Sequence, residues 1–195
     1  MANLITLEEY KIASKINGLG DDSRISNLII SVSALVKTYC NNTIVDHYSA
    51  NKTETFSINF ASSSVQLTES PVNTIVTVKE RTGISSAYTT LVVNTDYYLD
   101  TITDSIFRSN SGTGYKNFPI GPGSVEVVYT AGWASCPDDL KLAVTDLVRY
   151  YFKVEHKARQ SMQGASLQNN SSSSQSNNVG FPDHIRRVLD LYKNY

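Results

Sequence analysis

The chain has 195 residues, 41% of them hydrophobic and 18% charged, with a formal net charge of −1. That is enough apolar mass for one packed domain with an appendage. It excludes the basic excess of a nucleic-acid binder and any apolar run able to cross a bilayer.

With so few charges, Ser, Thr, Asn and 12 Tyr must meet the solvent, a surface suited to protein or carbohydrate contacts. Cys40 and Cys136 have no CxxC spacing or metal-ligand company, so they are expected as free thiols of a reducing compartment. The opening Met1-Ala-Asn-Leu-Ile5 lacks a basic region and a long apolar run, and is not expected to be a signal peptide.

Thr6-Leu-Glu-Glu9 has the form of a capping box and predicts a short helix to about Ile16. A second helix follows from Asp21, Asp22 or Ser23. Its residues Ile25, Leu28, Ile29, Val32, Leu35, Val36 and Tyr39 keep the period of a helix with one apolar face. From Asn41 the pattern changes to alternation. Strands are predicted at 53–60, 65–67, 74–79, 90–93, 97–99, 106–108 and 124–130, parted by Gly, Asn, Asp and Ser. No stretch between them is a convincing crossover helix, so antiparallel pairing is expected. Gly112-Thr-Gly114 and Gly121-Pro-Gly123 fit turns, because they lack the strand-to-helix setting of a phosphate loop.

A third helix is predicted at 137–155, with Pro137 at its first position and Asp138 and Asp139 at the positive end of its dipole. Leu140, Ala143, Val144, Leu147, Val148, Tyr151 and Val154 form its apolar stripe. Gln168 to Asn178 are entirely Ser, Asn or Gln, the composition of a flexible linker. A last short helix follows, with Phe181, Ile185, Val188, Leu189 and Tyr192 on one face. Such a face must dock, either on its own domain or on a partner.

The expected fold class is therefore α+β: a small helical bundle with an antiparallel sheet inserted between its second and third helices. The expected division is 1–44 with 133–160 as the bundle and 45–132 as the β insertion. A polar linker at 161–180 and a docking helix at 181–195 complete it.

The residues offer no assembled chemistry. His47, His156 and His184 stand apart, and Asp21-Asp22 and Asp138-Asp139 suit helix starts better than metal ligation. No nucleophile elbow is present. No catalytic, metal or cofactor site is expected.

The stretch Val125-Glu-Val-Val-Tyr-Thr-Ala-Gly-Trp-Ala-Ser-Cys-Pro-Asp-Asp-Leu-Lys-Leu-Ala143 runs a strand through Tyr-Thr-Ala-Gly-Trp into a Pro-led helix. It resembles the head-to-tail connector (adaptor) proteins of tailed bacteriophages. The opening Leu4-Ile-Thr-Leu-Glu-Glu-Tyr10, the helix through Val36-Lys-Thr-Tyr-Cys40 and Ser70-Pro-Val-Asn-Thr-Ile-Val-Thr-Val-Lys-Glu80 agree in order. The β insertion is longer than small adaptors carry, and the Ser/Asn tract departs from their pattern.

The resemblance implies a non-enzymatic virion protein of the neck, assembled in the host cytoplasm. It would form a homo-oligomeric ring, commonly dodecameric, under the portal and above a tail or head-closure protein. DNA would pass its lumen without specific binding, and no membrane is involved. Phe181, Ile185, Val188, Leu189 and Tyr192 are the expected portal-binding face. Tyr129, Gly132 and Trp133 mark the strand–helix junction and a possible interface, with Gly132 taking a positive φ. A carbohydrate-binding β module, which would carry a concave aromatic cluster, and a tail-completion protein remain the alternatives.

Overall fold

The computed structural model describes residues 1–152 and 181–194. They form two compact units, one built from 3–40 with the described part of 136–193, the other mainly from 41–135. The linker expected at 161–180 and the His156 region lie outside the described residues.

The first unit is helical, with α1 (Leu7–Ser14), α2 (Asp22–Cys40), α3 (Asp138–Tyr150) and α4 (Asp183–Leu191). The capping box forms as spelled: the Glu9 N–H donates to Thr6 Oγ1 at 3.1 Å, and the Thr6 N–H to the Glu9 carboxylate at 2.7 Å. Lys15, in the left-handed region, ends α1. On α2 the residues Ile25, Ile29, Val32, Val36 and Cys40 are all buried, and α3 buries Leu140, Ala143, Val144, Leu147 and Val148. Arg24, near the start of α2, lies 4.9 Å from the Phe152 ring, just past the end of α3. Lys37, in the last turn of α2, acts on Cys136, just before α3 begins. The two helices therefore run antiparallel, each covering the other's apolar stripe. Pro137 caps α3 from outside instead of occupying its first position.

The second unit holds two antiparallel sheets. The larger has the order β1-β7-β3-β4, from β1 (Lys52–Ile58), β3 (Val72–Glu80), β4 (Thr89–Thr90) and β7 (Gly121–Ala131). The smaller has the order β2-β6-β5, from β2 (Ser64–Gln66), β5 (Tyr97–Asp100) and β6 (Ser105–Arg108). Strand β7 is the spine: Tyr129 faces Lys52 of β1 on one side and Ile75 of β3 on the other. Val78, Val125, Val127 and Tyr129 are fully buried in the core between them.

Two sequence expectations give way here. The Gly121-Pro-Gly123 turn is instead the start of β7, where the Gly123 carbonyl accepts from the Arg81 guanidinium and the Tyr88 hydroxyl. The strand expected over 90–93 stops at Thr90. Beyond it, the Val92 N–H donates to the Asp96 carboxylate, and the Thr95 and Asp96 N–H groups donate back to the Val92 carbonyl. That reciprocal turn takes up the groups a ladder would need.

Polar side chains lock this unit from inside. Buried Arg108 of β6 grips the Glu80 carboxylate of β3 through two bonds of 2.9 Å, and also donates to the Asp96 and Ser109 carbonyls. A planar guanidinium can satisfy all of these at once, which makes its burial tolerable. Around Glu69, Lys52 and the Thr43 hydroxyl donate to the carboxylate. Burial opposes ionisation of neighbouring Glu54, but the Lys52 ammonium and the Thr68 donors outweigh it and lower its pKa.

Candidate functional site

The C-terminal helix exists as the sequence predicts, and it is docked. Phe181, Ile185 and Leu189 are buried in the helical unit, while Val188 and Tyr192 are half-buried. Phe181 meets the Tyr39 ring edge-on at 5.1 Å, and the Cys40 thiol donates to the Leu189 carbonyl at 3.5 Å. Polar bonds close the rim. The Tyr39 hydroxyl donates to Asp190 at 2.7 Å, and the Tyr192 hydroxyl donates to Asp139 at 2.6 Å. Burial first, then the Asp190 carboxylate, pushes Tyr39 up to about 12; burial and Asp139 raise Tyr192 likewise.

The face expected to be free for the portal is thus covered within the chain itself. The reason is plain in the packing: α2 and α3 leave an apolar seat beside Tyr39 and Cys40, and α4 fills it. What α4 turns outward is mostly polar, with Asp183, His184, Arg186, Arg187 and Asp190, and Leu191 is the apolar exception at its end. Sequence reasoning did not anticipate Asp139 and Tyr39 as partners of this helix. Their bonds span 53 and 151 residues, and no local pattern announces contacts of that range.

At the strand–helix junction, Gly132 takes φ +90. Its N–H donates to the Pro71 carbonyl at 2.8 Å and the Trp133 N–H to the Ile44 carbonyl at 2.8 Å, so the backbones meet directly. Trp133 is half-buried. Tyr129 has no exposed surface and its hydroxyl accepts from the Glu69 N–H at 3.2 Å. It is a core residue of the sheet and has no surface to offer an interface.

Elsewhere on the smaller sheet, Tyr98 stacks on Phe107 at 5.1 Å, and Tyr115 leans on Phe107 at 5.9 Å. The two tyrosine hydroxyls bond to each other at 3.2 Å. Among the described residues no group of three or more His, Cys, Asp or Glu could hold a metal ion, and no helix is long and apolar enough to cross a membrane.

Three kinds of likeness bear on what this arrangement serves. Over 72 residues the chain is 32% identical to the head completion protein of Escherichia phage T5, covering 36% of this chain and 39% of that protein. The chain therefore matches well under half the length of that curated relative. Its fold is that of a chain in the neck of an empty gene transfer agent particle reconstructed with C6 symmetry (TM-score 0.62, 15% identity, 98% of this chain and 90% of that one). A chain in the neck of the native particle, reconstructed with C12 symmetry, gives a TM-score of 0.57 at 16% identity, over 100% of this chain and 96% of that one. Identities this low establish the mixed α+β fold.

The family model for the head completion protein matches residues 3–195. The resemblance to head-to-tail connectors is thereby borne out, and the chain belongs to the head completion protein family.

Proposed function

We propose that this chain is a structural, non-enzymatic component of the neck of a tailed-phage particle. It forms a ring that sits on the portal and continues the DNA channel toward the tail. The observation that carries this reading is the family match over nearly the whole chain. The acidic balance, −1 overall, suits a lumen that lets DNA slide past. Twelve subunits is the number the neighbouring C12 neck suggests. The candidate portal-binding face remains Phe181, Ile185, Val188, Leu189 and Tyr192, and its use requires α4 to exchange its own seat for one on the portal.

Portal-bearing heads made without the protein should fail to join tails, and adding the purified protein should restore joining. Tail joining at normal yield without it overturns the reading.

The exchange of α4 has its own measure. Burial pushes the Cys40 thiol up to about 12 and places it under Leu189, so a thiol reagent at pH 8 should leave it unmodified in the free subunit. If α4 transfers to the portal, Cys40 becomes reactive in assembled necks. If Cys40 stays protected there, the helix has kept its seat and the portal contact lies elsewhere.

Deleting 181–195 should lower the melting temperature of the free protein by several degrees, since three buried side chains leave the bundle. A truncated protein that melts like the full chain would show that α4 adds nothing to the bundle.

A further inference from the structure

Asn17-Gly18 is the only asparagine–glycine pair in the chain. It lies in the turn between α1 and α2, where Asn17, Gly18, Leu19 and Gly20 are all exposed. The turn is held from its flanks. Lys15, in the left-handed region, closes α1, and the Ile16 N–H donates back to the Lys11 carbonyl at 3.0 Å. The Lys11 ammonium donates to the Gly18 carbonyl at 2.8 Å and to the Asp22 carboxylate at 2.8 and 3.0 Å. These bonds use neither the Asn17 carboxamide nor the Gly18 N–H. Among the described residues, neither of those two groups has a hydrogen-bond partner.

The reacting atoms are therefore open to water and to each other. An unbonded backbone N–H can lose its proton to hydroxide, and the nitrogen can then attack Cγ of the side chain before it. With most following residues a Cβ crowds that approach, and glycine has none. The surroundings add no obstacle, since a Cβ at Gly18 would meet nothing within 4 Å. Other asparagines lack one condition or another. Asn27 sits inside α2, where the helix holds the N–H of Leu28 after it. Asn110 is exposed, but Ser111 follows it, and its own N–H and carbonyl are bonded to Gly114 and Thr113.

We infer that Asn17 is a self-modification site, converting through a succinimide to isoaspartate and aspartate. The Gly18 nitrogen bonds to Asn17 Cγ as the Cγ–Nδ2 bond breaks, and Nδ2 leaves as ammonia with the proton that the Gly18 nitrogen gave up. Water then opens the five-membered ring. Entry at the backbone carbonyl leaves the chain running through Cβ and Cγ, as isoaspartate; entry at Cγ gives aspartate. Nothing is oxidised or reduced. Either product puts a carboxylate next to Gly18, whose carbonyl shares the Lys11 ammonium with Asp22. Isoaspartate also adds one methylene to the backbone that joins α1 to α2.

The test uses the intact protein, incubated at pH 8 and at pH 6, with peptide mapping that tells isoaspartate from aspartate. The expected result is conversion at Asn17 ahead of Asn27 and Asn110, with isoaspartate among the products. Conversion should be faster at pH 8, because the attacking nitrogen is the deprotonated one. Gly18→Ala should melt as the parent does, since its site is open, and should convert at least about tenfold more slowly. Asn17 left intact, or converting no faster than Asn110, overturns the inference. So does aspartate at 17 without isoaspartate, which marks direct hydrolysis of the side chain. A Gly18→Ala variant that converts at the parental rate overturns it as well. None of these failures touches the neck reading, because the chemistry needs only the free chain.

Discussion

Leu147→Asp should destabilise the protein by several kcal/mol, on the order of 3 to 5, whereas Leu142→Asp, in the same helix, should change stability by less than about 0.5. Both residues are leucines in α3, five positions apart. Leu147 has no exposed surface and lies in the stripe that α3 turns toward the bundle, while Leu142 is 65% exposed. A carboxylate at 147 would be taken out of water in place of a fully buried leucine, so it must either stay protonated or open the bundle. Thermal or urea melts of the two variants side by side decide the matter. Equal melting points would show that the bundle does not depend on the stripe.

Gly132→Ala should cost on the order of 3 kcal/mol or prevent folding of the sheet unit. A Cβ at this position would stand 2.2 Å from the Ile44 carbonyl oxygen, a backbone atom with no rotamer to escape into. The φ of +90 adds strain that any side chain brings. Gly20→Ala is the control, because a Cβ there meets nothing within 4 Å. Melting of Gly132→Ala at the parental temperature would mean that the Ile44 segment shifts at little cost, and the direct backbone contact would lose its structural role.

Much of this fold is written in local spacing. The α2 stripe needs only its own period to be read, and the Thr6 capping box needs only four residues. The strand alternation likewise marks β1, β3 and β7 before any pairing is known. What spacing cannot reveal is which distant group answers which. Arg108 looks like an ordinary strand residue until Glu80, 28 positions away, is placed beside it. The C-terminal helix makes the same point more sharply. Its apolar face was legible, but the seat for that face is shared between α2 and α3, so the choice between self-docking and partner-docking was not encoded in the helix itself. The short β4 differed for a third reason: side-chain hydrogen bonding by Asp96 competes with the sheet, and apolar alternation is blind to it.

The buried cysteines also have a meaning for the life of a particle. A virion is built in a reducing cytoplasm and then released into aerated water, where exposed thiolates oxidise and cross-link neighbours. Burial pushes both Cys40 and Cys136 up to about 12. At neutral pH only roughly one thiol in 10⁵ is then ionised, and the thiolate is the reactive form. On the neck role proposed above, burial is what would carry both thiols from one redox world to the other with their covalent structure unchanged.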